Sequence, residues 1–155
     1  MYLTSLKNRR TSYVSANILL YFILSLFCFL VFTFKCSALS IIVNPQVVRG
    51  TVSRNSLQAI FGMRFHTWPD GIPIKVFVLP DNHPLHKKFC KDELNIFPHQ
   101  LRWCWDRQVF SGTGQAPIEV STPKEMLEKV ASTPGAIGYS EWPPVDETLK
   151  ILLIK

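Results

Sequence analysis

Ile74-Lys75-Val76-Phe77-Val78-Leu79-Pro80-Asp81-Asn82-His83-Pro84-Leu85 reads as a strand that stops at one proline and a helix that starts at the next. Ile74 to Leu79 is rich in β-branched and aromatic residues, which suit a pleated, packed surface. From Val76 on it is apolar at both alternations, the pattern of a strand covered on both faces. Pro80 ends the run because proline brings no donor to a sheet ladder. Pro84 stands where a first helical turn tolerates it, with Asn82 or His83 as the cap, and Leu85 and Phe89 share a helix face.

The same alternation continues on both sides of this stretch. Downstream, Pro98 opens a second helix whose stripe is Leu101, Cys104, Trp105 and Val109. A loop, Ser111 to Pro117, leads to a short strand at Ile118 to Val120. Thr122-Pro123-Lys124-Glu125 is a capping box with proline at the first helical position, and Met126, Leu127 and Val130 form that helix's apolar face. Thr133-Pro134-Gly135 is a turn, Ala136 to Tyr139 a strand, and Leu149 to Ile154 a last strand. Upstream, Ile41 to Val43 is a strand closed by Asn44-Pro45. Ser53 caps a helix with Leu57, Ile60 and Phe61 at helical spacing, and Trp68-Pro69-Asp70-Gly71 is turn chemistry. Strands alternating with helices predict an α/β fold, a mixed sheet with helices packed on it.

The chain has 155 residues, a length that predicts one folded domain. With 47% hydrophobic and 18% charged residues it is no charged, disordered tail. The apolar residues are unevenly spread: Ile18 to Phe34 runs seventeen residues without a charge. Lys7, Arg9 and Arg10 precede this run, and small residues from Cys36 to Ser40 follow it, the three-part pattern of a secretory signal. The expected organisation is therefore a leader with a hydrophobic helix at residues 1–40 and an α/β domain at 41–155. The length of the apolar run favours removal of the leader. The alternative is an uncleaved signal anchor that touches the membrane through residues 18–34. Both readings export the same part of the chain. They predict a periplasmic protein, free or anchored to the inner membrane and facing the periplasm.

Net charge is +6, from 17 Lys+Arg against 11 Asp+Glu. Four of the basic residues (Lys7, Arg9, Arg10, Lys35) precede Ser40, so the exported part holds 13 basic and 11 acidic residues, a net +2. That is no basic stripe of the kind nucleic acid needs.

Export places Cys90 and Cys104 where disulfides persist. They lie symmetrically about Phe97 in a helical pair, so a disulfide is one reading and two small buried hydrophobes the other. His66, His83, His86 and His99 are scattered and read as surface residues. His83 and His86 are three apart, but no Cys/His spacing suits zinc, and neither a metal nor a cofactor is expected. Ser111, His99 and Asp106 supply the residue types of a hydrolytic triad, but there is no GxSxG and no HExxH, and the reading is non-enzymatic. Trp105 and Trp68 read as packing residues, and Trp103 falls off the apolar stripe. Lys87, Lys88 and Lys91 cluster with His86 on one helix, either as a solvated face or as an attraction for an anion.

SRNSLQAIFGMRFHTWPDG (53–71), IKVFVLP (74–80), a helical pair ending RQVFSGTGQAP (107–117) and STPGAIGY (132–139) form an ordered set. This set resembles the short exported proteins related to the phosphate-binding components of ABC transporters, in the type 2 periplasmic-binding-protein-like superfamily. The TPGAIGY run and the run from Ile60 to Ile74 are its most specific pieces. The resemblance covers residues 41–155. Those 115 residues are too few for the two lobes of the full-length proteins, so it implies a single lobe. It also implies a small oxyanion such as phosphate as ligand, and an envelope transporter or sensor protein as partner. Full-length members carry an Arg-Ser-Asp-x-Ser-Gly-Thr loop that opens a helix and holds phosphate with backbone N–H groups and hydroxyls. The matching place here is Leu79 to Leu85, where Asp81 keeps the acid, Asn82 supplies a donor and His83 follows. The Arg and the Ser-Gly-Thr are replaced. Ser111-Gly112-Thr113-Gly114 is a second candidate, as a backbone cradle for an anion or as an ordinary interhelix loop. The other function these replacements allow is an interaction or sensory accessory role in the envelope, with the ligand loop lost.

Overall fold

The computed structural model describes residues 39–48, 50–142 and 148–155. Of the leader expected at residues 1–40, residues 1–38 lie outside the described residues, and with them the membrane contact expected at 18–34. The elements in chain order are β1 Ser40–Val43, β2 Thr51–Val52, α1 Arg54–Phe61, β3 Lys75–Val78, α2 Pro84–Asp92, α3 Pro98–Phe110, β4 Ile118–Glu119, α4 Pro123–Ser132, β5 Ala136–Ser140 and β6 Lys150–Ile154. The short β2 is the one element the sequence pattern did not predict. Among the described residues no helix is long and apolar enough to cross a membrane.

The strands form one mixed sheet in the order β2-β6-β1-β5-β3-β4. β1 runs antiparallel to both its neighbours, whereas β3 runs parallel to β5 and β4. β3 is thus an interior parallel strand, and Val76, Phe77, Val78 and Leu79 are all buried, as its apolar run requires.

Successive residues of β5 point to opposite faces of the sheet and so show where the helices sit. Gly138 faces α4 so closely that a Cβ there would stand 2.6 Å from the sulfur of Met126 and 3.0 Å from Val130. Tyr139, on the other face, stacks on Phe89 of α2 with centroids 4.0 Å apart and packs near Phe61 of α1. Trp105 of α3 joins this side by donating its indole N–H to the Phe61 carbonyl at 2.7 Å. The sheet therefore lies between α4 and a layer built from α1, α2 and α3.

Local chemistry fixes the helix starts. Ser53 accepts from Ser56 N–H, His83 from Leu85 N–H and Thr122 from Glu125 N–H. Of the two caps expected for α2, the structure uses His83. The Glu125 carboxylate reaches back to Ser121 N–H, one residue before the cap. Asn44, buried after β1, donates to the Val130 and Ala131 carbonyls and accepts from Gln46 N–H. It satisfies the end of α4 and turns the chain out of β1 at once.

The two sequence runs that carry the resemblance also touch. Trp68 donates its indole N–H to the Gly135 carbonyl at 2.9 Å. Gly135, at φ +72, packs so tightly that a Cβ would stand 2.2 Å from the Pro73 oxygen.

Candidate functional site

β3 delivers Leu79-Pro80-Asp81-Asn82-His83 to the N-terminus of α2, and a charged and aromatic cluster fixes that loop from behind. Tyr139 Oη accepts the Leu79 N–H at 2.8 Å and lies 2.6 Å from His86 Nδ1. Nε2 stands 3.5 Å from Cys90 Sγ and 3.7 Å from Asp81 Oδ1. Asp81 is gripped from α3 by Arg102, whose Nε donates to Oδ2 at 3.0 Å and Nη2 to Oδ1 at 2.9 Å. Arg102 also reaches Glu119 of β4 at 3.4 Å and lies over the Trp105 ring, 4.9 Å from its centroid.

Burial governs the electrostatics. It lowers the His86 pKa to about 4, against a smaller raising pull from Asp81, so the imidazole is neutral at neutral pH. Burial pushes the Cys90 thiol up to about 12, with Asp81 adding to the effect. Burial likewise raises Tyr139. The hydrogen bond to Asp81 raises Arg102. The cluster holds neutral groups inside and an ion pair at its rim, an arrangement that positions the loop.

His86 is thus fully buried, a correction to its reading as a surface histidine. An imidazole with a phenol on one nitrogen and a carboxylate near the other meets its polar needs inside. His83 and His86 do not act together: one caps α2 and the other turns into the core. Cys90 and Cys104 are free, Cys90 buried and Cys104 exposed. The buried-hydrophobe reading describes Cys90 alone, and no disulfide joins the pair. The buried stripe of α3 is narrower than its spacing suggested, since Leu101 and Trp105 are buried but Cys104 and Val109 are exposed.

Ser111 to Gly114 closes the C-terminus of α3. Gly112 N–H donates to the Val109 carbonyl, and Thr113 and Gly114 N–H donate to that of Gln108. Gly112 has φ +68, so these bonds form a Schellman cap. The hydroxyls are engaged too: Ser111 Oγ donates to the Arg107 carbonyl, and Thr113 Oγ1 donates to Gln108 Oε1. These amides answer carbonyls at the negative end of a helix dipole, the opposite of an anion cradle. The loop also lies at the other end of β3 from Asp81, because β4 pairs parallel with β3 and residues 113–118 face Lys75 and Val76. The two candidate anion loops are not brought together. Nor is the triad: α3 holds His99 in its first turn and Ser111 past its last, about 18 Å apart at 1.5 Å per residue.

Asn82 is exposed beside Asp81, at the one candidate loop that opens a helix. Pro84 has no N–H to offer and Leu85 N–H is taken by His83. Sequence reasoning missed Arg102, His86 and Tyr139, each of which meets Asp81 or its neighbours only through the fold.

The sequence matches no protein-family model. It matches no curated protein either. Solved structures do match. PstS from Borrelia burgdorferi superposes with a TM-score of 0.57 at 19% identity, over 76% of this chain and 47% of that one. A protein described as a phosphate ABC transporter substrate-binding protein, from Clostridium perfringens and with bound phosphate, gives 0.58 at 14% identity, over 75% and 44%. An ABC-type phosphate transport receptor from Vibrio cholerae gives 0.54 at 15% identity, over 75% and 46%. The chain spans less than half the length of each. The likeness is one of fold: the chain folds as a mixed α/β unit like part of each of these structures.

Proposed function

We propose that the chain is an exported, non-enzymatic solute-binding module for phosphate or another small oxyanion, working in the envelope with a transporter or a sensor protein. The observation that supports this reading is the superposition on a binding protein with bound phosphate, together with a loop that opens α2 directly after an interior parallel strand. That is the crevice beyond the carboxyl ends of strands where open α/β sheets take ligands. Asn82 is the donor of this site, and Arg102 offsets the charge of Asp81 beside it. With one lobe, the anion is bound weakly or is shared with a partner.

A specific observation favours a second reading. Pro84 and the His83 cap remove two of the first donors of α2, and the Ser111–Gly114 amides are spent on α3. On this reading the lobe has given up its ligand loop and serves as an interaction or sensory accessory protein.

Thermal unfolding of the purified full chain, with millimolar phosphate against sulfate and chloride at equal ionic strength, separates the two. A ligand that binds only the native state raises the midpoint. A phosphate-selective rise that Asn82→Ala abolishes supports the module. No selective rise with any oxyanion favours the accessory role.

A further inference from the structure

Beside the candidate loop, α2 and α3 leave a groove of about 500 Å³ lined by Asp81, Lys87, Lys91, Phe97, Pro98 and His99. Its two sides differ in chemistry. Lys87 and Lys91 stand one helical turn apart on α2, so both ammonium groups rise from the same face. The α3 side is aromatic. Phe97 exposes 60% of its surface, and its ring lies nearly parallel to that of His99, with centroids 5.6 Å apart and planes at 10°. His99 meets the exposed Trp103 edge-on at 5.2 Å. Single exposed apolar residues are ordinary. Here two of them flank an imidazole, one stacked on it and one edge-on, next to two cations. Asp81, the one carboxylate of the lining, has both oxygens engaged by Arg102, so its charge is offset.

The groove is open to solvent, so its aromatic side together with its volume decides what fits. Pockets of roughly 300–1,000 Å³ take organic ligands of drug size. A free tetrahedral oxyanion is only a few times larger than a water, which takes about 30 Å³. It would leave most of this groove, and all of the aromatic side, unused.

We propose that the groove between α2 and α3 binds a small organic phosphate, its phosphoryl head on Lys87 and Lys91 and a flat apolar or aromatic body against Phe97 and His99. This rests on the oxyanion reading above and specifies the ligand class.

Isothermal titration calorimetry of the purified full chain with phenyl phosphate, inorganic phosphate and benzyl alcohol tests it. Phenyl phosphate is expected to bind at least about tenfold more tightly than either of the others, which is about 1.4 kcal/mol. Lys87→Gln with Lys91→Gln is expected to weaken it about tenfold or more, since each substitution takes away a charge-assisted hydrogen bond to the phosphoryl oxygens. Phe97→Ala is expected to reduce the preference of phenyl phosphate over inorganic phosphate. All three side chains are solvent-facing, and circular dichroism checks that the variants fold. Equal affinity for the two phosphates, with loss on Asn82→Ala, would keep the oxyanion reading and overturn this one. Binding of phenyl phosphate that ignores both lysines, or benzyl alcohol binding as tightly, would also overturn it. No binding of any probe would overturn this proposal, and the unfolding test with other oxyanions would then decide the oxyanion reading by itself.

Discussion

Arg102 grips Asp81 through two nitrogens at 3.0 and 2.9 Å, across 21 residues of sequence. This is the fork geometry in which a guanidinium and a carboxylate gain both energy and orientation. The pair is about two-fifths exposed on each side, so water screens it and the energy is modest. A double-mutant cycle of Arg102→Lys and Asp81→Asn, read by urea unfolding, is expected to give a coupling of about 1 kcal/mol. Arg102→Lys keeps the charge and loses the fork, so it should lose most of that coupling. Zero coupling would mean that the fork does not hold the loop.

Most of the fold was legible because it rests on local chemistry. Proline and cap residues at Pro84, Pro98 and Thr122-Pro123 place three helix starts, and the apolar run of β3 marks an interior strand. The candidate site was legible only as a loop. Its supports come from far away in sequence: Tyr139 lies 53 residues from His86, and Arg102 comes from another helix. No periodicity carries such pairs. One signal is present and points two ways. A glycine just past an apolar-periodic helix marks a C-terminal cap, and Gly112 holds that position after Phe110. The same grammar of Gly and hydroxyl residues describes an anion cradle, and only the carbonyls at the end of α3 distinguish them.

The buried imidazole predicts acid sensitivity. Folding depresses the His86 pKa from 6.5 to about 4, so below 6.5 the unfolded chain takes up a proton that the folded chain refuses. The contribution is therefore whole above pH 6.5 and is lost as pH falls toward 4, by up to roughly 3 kcal/mol. Urea unfolding of the wild type and His86→Gln across pH 4–7 measures it. The variant should show a shallower fall in this window, and parallel curves would contradict the assignment. Tyr139→Phe leaves the Leu79 N–H and His86 Nδ1 without their partner and should cost about 1–3 kcal/mol at pH 7.

Gly135 and Gly71 separate backbone strain from close packing. Both have positive φ, but a Cβ at Gly71 meets nothing within 4 Å, whereas at Gly135 it meets the Pro73 oxygen at 2.2 Å. Gly71→Ala should cost only the left-handed conformation, about 1 kcal/mol. Gly135→Ala must also push the Pro73 backbone away and break the Trp68 bond to the Gly135 carbonyl, so more than about 3 kcal/mol is expected. Similar denaturant midpoints for the two variants would show that the packing between the Trp68–Pro73 segment and the Thr133–Gly135 turn is slack.

The two described cysteines should respond oppositely to alkylation. Burial keeps the Cys90 thiol protonated, with its pKa pushed up to about 12, and closes it to reagent, while Cys104 is exposed on α3. Since the thiolate is the reactive form, iodoacetamide at pH 8 should label Cys104 in native protein and reach Cys90 only through unfolding. Peptide mapping by mass spectrometry reads each site separately. In increasing urea, Cys90 labelling should rise with the global unfolding transition, because α2 is locked to β5 through His86 and Tyr139. Labelling of Cys90 well below that transition would mean that α2 opens by itself, and that the loop it carries is held less firmly than its hydrogen bonds imply. Failure of both thiols to react in native protein, with a mass lower by two hydrogen atoms in the linked Cys90 and Cys104 peptides, would instead reveal a disulfide and a different packing of α2 against α3.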